Sequence, residues 1–185
     1  MLSAAIPLIA SGDRLRSALI ENFKAQLLAA AAERGWSLLP EDTGKIAWSG
    51  FEIRFGAADR VGFRLRFNDE RRAAADFGVR GLGPDDADYA KVREAMNAAF
   101  GAGQNNQAWP WLRRADSNDA LLPVEPNWHS NAAPWMSIAD GTLATVMLAA
   151  AQRVYDILGP LGLVGLSSGA SENAAQPSVI ATDSA

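Results

Sequence analysis

Phe51-Glu52-Ile53-Arg54-Phe55, Val61-Gly62-Phe63-Arg64-Leu65-Arg66-Phe67 and Ala75-Asp76-Phe77-Gly78-Val79-Arg80 each alternate apolar residues with charged or small ones. A period of two marks strands with one face in the core and the other turned away from it. The connections are short: Gly56 to Arg60 suits a tight hairpin, and Asn68-Asp69-Glu70 supplies the next reversal. The expected structure is an antiparallel β-meander whose inner face carries Phe51, Ile53, Phe55, Phe63, Leu65, Phe67, Phe77 and Val79. Full burial of one such side chain is worth about 1.5–3 kcal/mol before conformational entropy is subtracted, so this face is the expected centre of the core.

Upstream of the meander, Leu15, Leu19, Phe23, Leu27 and Ala31 recur every fourth residue, with Ile20 and Leu28 widening the stripe. A helix is expected from Asp13, which can accept from free amides at its start, to Arg34, with Gly35 as the stop. Met1 to Ala10 is apolar but lacks a basic start, and reads as a lead-in to that helix rather than a secretory signal. Trp36 to Leu39 and Lys45 to Ser49 are short strand candidates.

Downstream, Pro84-Asp85-Asp86 is expected to open a second helix in which Tyr89, Val92, Met96 and Phe100 share a face that covers the sheet. Gln104 to Trp135 is turn-rich and holds Trp109, Trp111, Trp128 and Trp135, so an irregular but packed segment is expected there. Ser137 is a candidate cap for a last helix with Leu143, Met147, Ala150, Val154 and Leu158 on one stripe, ended by Gly159-Pro160. Leu161 to Leu166 is expected to dock. The fold class is therefore α+β, an antiparallel meander packed against helices, in one domain over residues 1–166 with a disordered tail over 167–185.

Composition narrows the chemistry. The chain has 185 residues, a formal net charge of −4, no cysteine and one histidine, His129. Thiolate nucleophiles, disulfides and multi-histidine metal sites are thereby excluded, and a reducing, cytoplasmic setting is expected. The apolar stretch from Leu143 to Leu166 is interrupted by Gln152, Arg153, Asp156 and Gly159-Pro160, so no membrane span is expected.

Three groups of residues are candidates for function. The outward positions of the meander are Glu52, Arg54, Arg64, Arg66, Asp76 and Arg80, four guanidinium groups beside two carboxylates in an acidic protein. Arginine forks grip phosphate oxygens, which makes Arg54, Arg64, Arg66 and Arg80 the candidate nucleic-acid-binding residues; the competing reading is a face laced with ion pairs. Glu52-Ile53-Arg54 puts a carboxylate and a cation on one face of a strand, as magnesium nucleases do, with Asp42 as the second carboxylate; arginine, however, does not accept a proton as lysine can. Finally, His129 with Asp116, Asp119 or Asp140 would make a base and its orienter, against the plainer reading of a loop histidine satisfied by backbone or water.

In their order, the leading helix before a Trp-containing hairpin, the Phe51-Glu52-Ile53-Arg54-Phe55 strand, the Asp76-Phe77-Gly78-Val79 strand, Trp109-Pro110-Trp111 with basic residues after it, and Trp128 before a closing helix resemble the C-terminal portion of PD-(D/E)XK nuclease superfamily proteins of bacteria and phages. The resemblance spans roughly Asp13 to Leu158. It implies that metal-binding carboxylates and the lysine lie upstream of the matching region, so what carries over is an accessory, non-catalytic module. The expected function is contact with DNA, RNA or a catalytic protein partner through the arginine-bearing face, without a cofactor. The alternatives are a magnesium-dependent nuclease centred on Asp42, Glu52 and Arg54, and a protein-binding inhibitor or adaptor that would expose an apolar patch.

Overall fold

The three alternating segments form strands at the expected places. In the computed structural model, which describes residues 2–40, 48–56 and 59–164 (side chains from residue 12, Pro40 excepted), β2 (Gly50–Arg54), β3 (Gly62–Phe67) and β4 (Ala75–Arg80) pair antiparallel in sequence order. β1 (Ser37–Pro40) adds to the β2 edge. Beyond β4 come β6 (Trp109–Arg114) and then β5 (Gln104–Asn106), giving one six-stranded antiparallel sheet in the order β1-β2-β3-β4-β6-β5. All eight residues expected on the inner face are buried there.

The helices gather on that inner face. Phe23 of α1 (Leu2–Ala32) meets the Phe51 ring edge-on at 4.8 Å. Val92 and Met96 of α2 (Tyr89–Phe100) join the same core as Trp111, and so do Leu143, Met147, Ala150, Val154 and Leu158 of α4 (Thr142–Leu158). α2 stops where expected, at Gly101, whose φ of 85° suits a residue without a Cβ. Asp119 holds the approach to α3 (Ala133–Ala139) by accepting from the amides of Leu121 and Leu122.

Several expectations need correction. α1 begins at Leu2, not Asp13, because Ala4, Ala5 and Ala10 favour helix and the chain passes through Pro7 and Gly12; Asp13 is thus interior and caps nothing. The buried stripe is Ile20, Phe23, Leu27 and Ala31, while Leu15 and Leu28 face solvent. Trp109 to Arg114, expected to be irregular, is a strand. Pro110 is tolerated because the β4 ladder with β6 covers only Trp111 to Arg114, and the β5 ladder carries a bulge between Gln104 and Asn106. Ser137 lies inside α3; the closing helix is two helices, split at Gly141, whose φ is 80°. Asn131 Oδ1 accepts from the Ala133 amide at 2.9 Å and Pro134 sits in the first turn, the true start signals of α3. Of the strand candidate at Lys45 to Ser49, Trp48 and Ser49 form a turn into β2, and residues 45–47 lie outside the described residues, as does the expected tail. Leu163 and Val164 do dock on the core, while residues 165 and 166 are not described.

Gly81, just after β4, adopts a φ of 120°, and a Cβ there would run into the Arg60 carbonyl. Gly81→Ala is therefore expected to cost about 1–3 kcal/mol. Urea denaturation measures it, and an unchanged midpoint would show that the β4–α2 corner relaxes freely.

Candidate binding surface

The sheet's second face is built by register. One cross-strand row reads Leu39, Glu52, Arg64, Gly78, Leu112; the row on one side reads Ser37, Arg54, Gly62, Arg80; the row on the other reads Gly50, Arg66, Asp76, Arg114. All six predicted outward residues thus share a face. Each row contains a glycine, and at Gly62 the reason is visible: a Cβ would lie 2.9 Å from Glu52 Oε1 and 3.0 Å from Glu52 Cγ. The missing side chain lets Glu52 fold flat across β3.

Glu52 is the centre of the charge arrangement, with its side chain 2% exposed. Arg54 Nε donates to Oε1, Arg80 Nη1 donates to Oε2 at 3.2 Å, and Arg64 Nη1 stands 3.6 Å from Oε2. Arg54 also donates to the Asp59 carbonyl at 3.0 Å. Arg66 pairs with Asp76 at 2.8 Å. The ion-paired reading of this face therefore holds for all six residues, with four guanidinium groups arranged around Glu52 and Asp76. Exposure sorts the arginines. The side chains of Arg64 and Arg66 are 3% and 14% exposed, those of Arg54 and Arg80 25% and 34%. Arg64 and Arg66 build the surface, while Arg54 and Arg80 present themselves at it.

Two tryptophans complete the surface. The Arg66 guanidinium lies between the rings of Trp48 at 4.7 Å and Trp109 at 4.9 Å. Its Nε is buried without an acceptor among the described residues, and the two π faces offset part of that cost. Trp109 belongs to this face although Trp111, two residues on, belongs to the core; the irregularity at Pro110 turns it over. Trp48 is held by its amide, which donates to the Phe67 carbonyl at 2.9 Å, and by its carbonyl, which accepts from Arg64 Nη2 at 2.7 Å. A cavity of about 200 Å³ opens between Trp48, Arg64, Arg66, Arg80, Asn106 and Trp109. Alternation picked out the arginines; nothing local in the sequence tied Trp48 and Trp109 to them.

The other candidates separate. Both oxygens of Glu52 face guanidinium groups, so a magnesium ion would have to displace cations to reach them, and the residues around Glu52 do not fit that ion. No group of three or more His, Asp or Glu among the described residues is placed to hold a metal, and Asp42 lies outside them. His129 is exposed, its amide donating to Asn127 Oδ1 and its carbonyl accepting from Arg16. The expected orienters are engaged elsewhere. Asp119 pairs with Arg113 at 3.1 Å, and Asp116 accepts from the Asn118 amide. Asp140 accepts from Thr142, whose side chain first and backbone second hold the carboxyl below the usual carboxylate range. His129 instead borders a cleft with Arg16, Arg71 and Arg72; burial, then the neighbouring charge of Arg16, lowers the Arg72 pKa from its ordinary value.

Comparison with protein families, with curated proteins and with solved structures finds no match for this chain. No helix among the described residues is long and apolar enough to cross a membrane.

Proposed function

We propose that this chain is a cytoplasmic, non-catalytic binding module whose arginine-bearing sheet face receives nucleic acid, as an accessory of nuclease-type proteins. The observation that carries the reading is the cavity edged by Arg64, Arg66 and Arg80 and walled by two indole rings. Cationic groups beside aromatic faces suit a ligand that alternates phosphates with flat bases. The grouping of Arg54, Arg64, Arg66 and Arg80 on one sheet face supplies a local cationic surface that the acidic chain as a whole does not.

Arg80, the most exposed of the four predicted arginines, is the residue to test. Fluorescence anisotropy with labelled oligonucleotides at several salt concentrations is expected to show binding that weakens as salt rises. Few accessible guanidinium groups imply few phosphate contacts. Arg80→Ala is expected to lower affinity and to flatten the log–log salt slope by about 0.7–0.9. Binding that ignores both salt and Arg80 would remove nucleic acid from the reading and leave a protein partner.

A further inference from the structure

Trp48 is displayed at a cost. Its residue surface is 56% exposed, and its φ of 74° lies in the left-handed region that a bulky side chain rarely occupies. An exposed indole in an unfavourable backbone conformation would relax unless it were held. Here three contacts hold it: the Phe67 carbonyl, the Arg64 guanidinium and the Arg66 guanidinium against its ring. Two of the three come from arginines that are themselves buried or nearly so, so the ring is a fixed part of the surface.

Which ligand such a ring suits follows from its surroundings. Arg66 lies over the indole at 4.7 Å, and more than half of the residue stays open to solvent beside the cavity. The chemistry around that opening is cationic and amide, from Arg64, Arg80 and Asn106, with no carboxylate lining the cavity. An acidic side chain would use the cations and leave the indole wet; an apolar one would cover the indole and leave the cations unused. A nucleotide uses both, its base on the indole and its phosphate toward Arg80. In a duplex the base faces are already covered by their neighbours, whereas in a single strand they are free to stack.

Building on the proposed function, we infer that Trp48 is a base-stacking platform that makes this face selective for single-stranded over duplex nucleic acid. The test uses the full chain, with oligothymidylate of about a dozen nucleotides as the single strand and a mixed-sequence duplex of the same length. Single strand is expected to bind more tightly than duplex and to quench part of the tryptophan fluorescence. Trp48→Ala is expected to weaken single-strand binding by about 5- to 100-fold and duplex binding by much less, and Trp48→Phe, which keeps a π face, should recover most of the single-strand loss. Near-ultraviolet circular dichroism and the urea midpoint confirm that the variants are folded. Equal affinity for the two forms, or a Trp48→Ala variant that binds single strand as the parent does, overturns the inference while the arginine face keeps its proposed role. Binding of neither form overturns the inference together with that role.

Discussion

Glu52→Ala is expected to lower the stability of the fold by about 3 kcal/mol or more, because it takes a buried carboxylate away from the buried guanidinium of Arg64. The reasoning turns on which charge is left behind. Arg54 and Arg80 are partly exposed and regain water when Glu52 goes, so their loss is modest. The Arg64 side chain is 3% exposed, and though it keeps the Trp48 carbonyl, its charge would lose the carboxylate 3.6 Å away. Glu52→Gln would fare only somewhat better, since one end of an amide is itself a donor and would point at guanidinium donors. Chemical denaturation of Glu52→Ala, Arg64→Met and the double variant separates the contributions. Loss of Glu52 should cost much less once Arg64 is gone, a coupling of at least about 1 kcal/mol. Additive effects, or a Glu52→Ala variant within about 0.5 kcal/mol of the parent, would mean that this cluster is solvated rather than buried. The same experiment bears on the nuclease alternative, because a catalytic carboxylate is expected to destabilise its site, and its removal would raise stability instead.

How far such a cluster can be read in advance depends on the range of the interactions that make it. Period-two alternation is a local property of each segment, so the meander, its inner face and the shared face of Glu52, Arg54, Arg64, Arg66, Asp76 and Arg80 were all legible. The register that puts Glu52 opposite Arg64, and Arg66 opposite Asp76, follows from the short links once the strands are paired. Burial was not legible. Arg64 reads as an outward strand residue, yet it is nearly as buried as the phenylalanines beside it, because Gly62 lets Glu52 lie flat beside it and the Trp48 carbonyl receives its guanidinium. A glycine opposite an arginine is a weak signal in a sequence, and it becomes informative only with the register known.

The misread elements share a cause of another kind. Trp109 to Arg114 breaks alternation with Pro110 and with the adjacent Trp111 and Leu112, one facing the core and the other the far face of the sheet. Its strand character comes from β4, which lies some thirty residues upstream and offers it an open edge, a tertiary preference that overrides local pattern. The division of the closing helix at Gly141 was written more plainly, in Asn131 before α3 and Pro134 in its first turn and in Asp140-Gly141 before α4, but Ser137 offered a competing cap within the same few residues. Helix α1 shows the opposite failure: a local cap signal at Asp13 had no force because the preceding residues were already helical.

The other large effect is expected at Trp128, which ties the long segment between β6 and α3 to the core. Its ring meets Phe67 edge-on at 4.8 Å, Trp135 at 5.7 Å and Phe23 at 6.4 Å, so sheet, α3 and α1 converge on one side chain. Trp128 is fully buried, and its polar atoms are engaged: Nε1 donates to the Glu125 carbonyl at 2.8 Å, the amide to Arg72 at 2.8 Å, and the carbonyl accepts from Trp135 Nε1 at 2.7 Å. Trp128→Ala removes the ring on which this cluster converges and leaves a cavity that three rigid aromatic neighbours cannot easily close, for a loss of about 3–5 kcal/mol. Trp128→Phe keeps much of the volume and both backbone bonds, losing the Nε1 donor, and is expected to cost about half as much. Denaturant midpoints of the two variants decide the matter. If alanine costs no more than about 1 kcal/mol, the segment from Ala115 to Ala132 is not anchored through Trp128, and the packing of α1 against α3 must be carried by Ile138 and the Gln26 bond to its carbonyl instead.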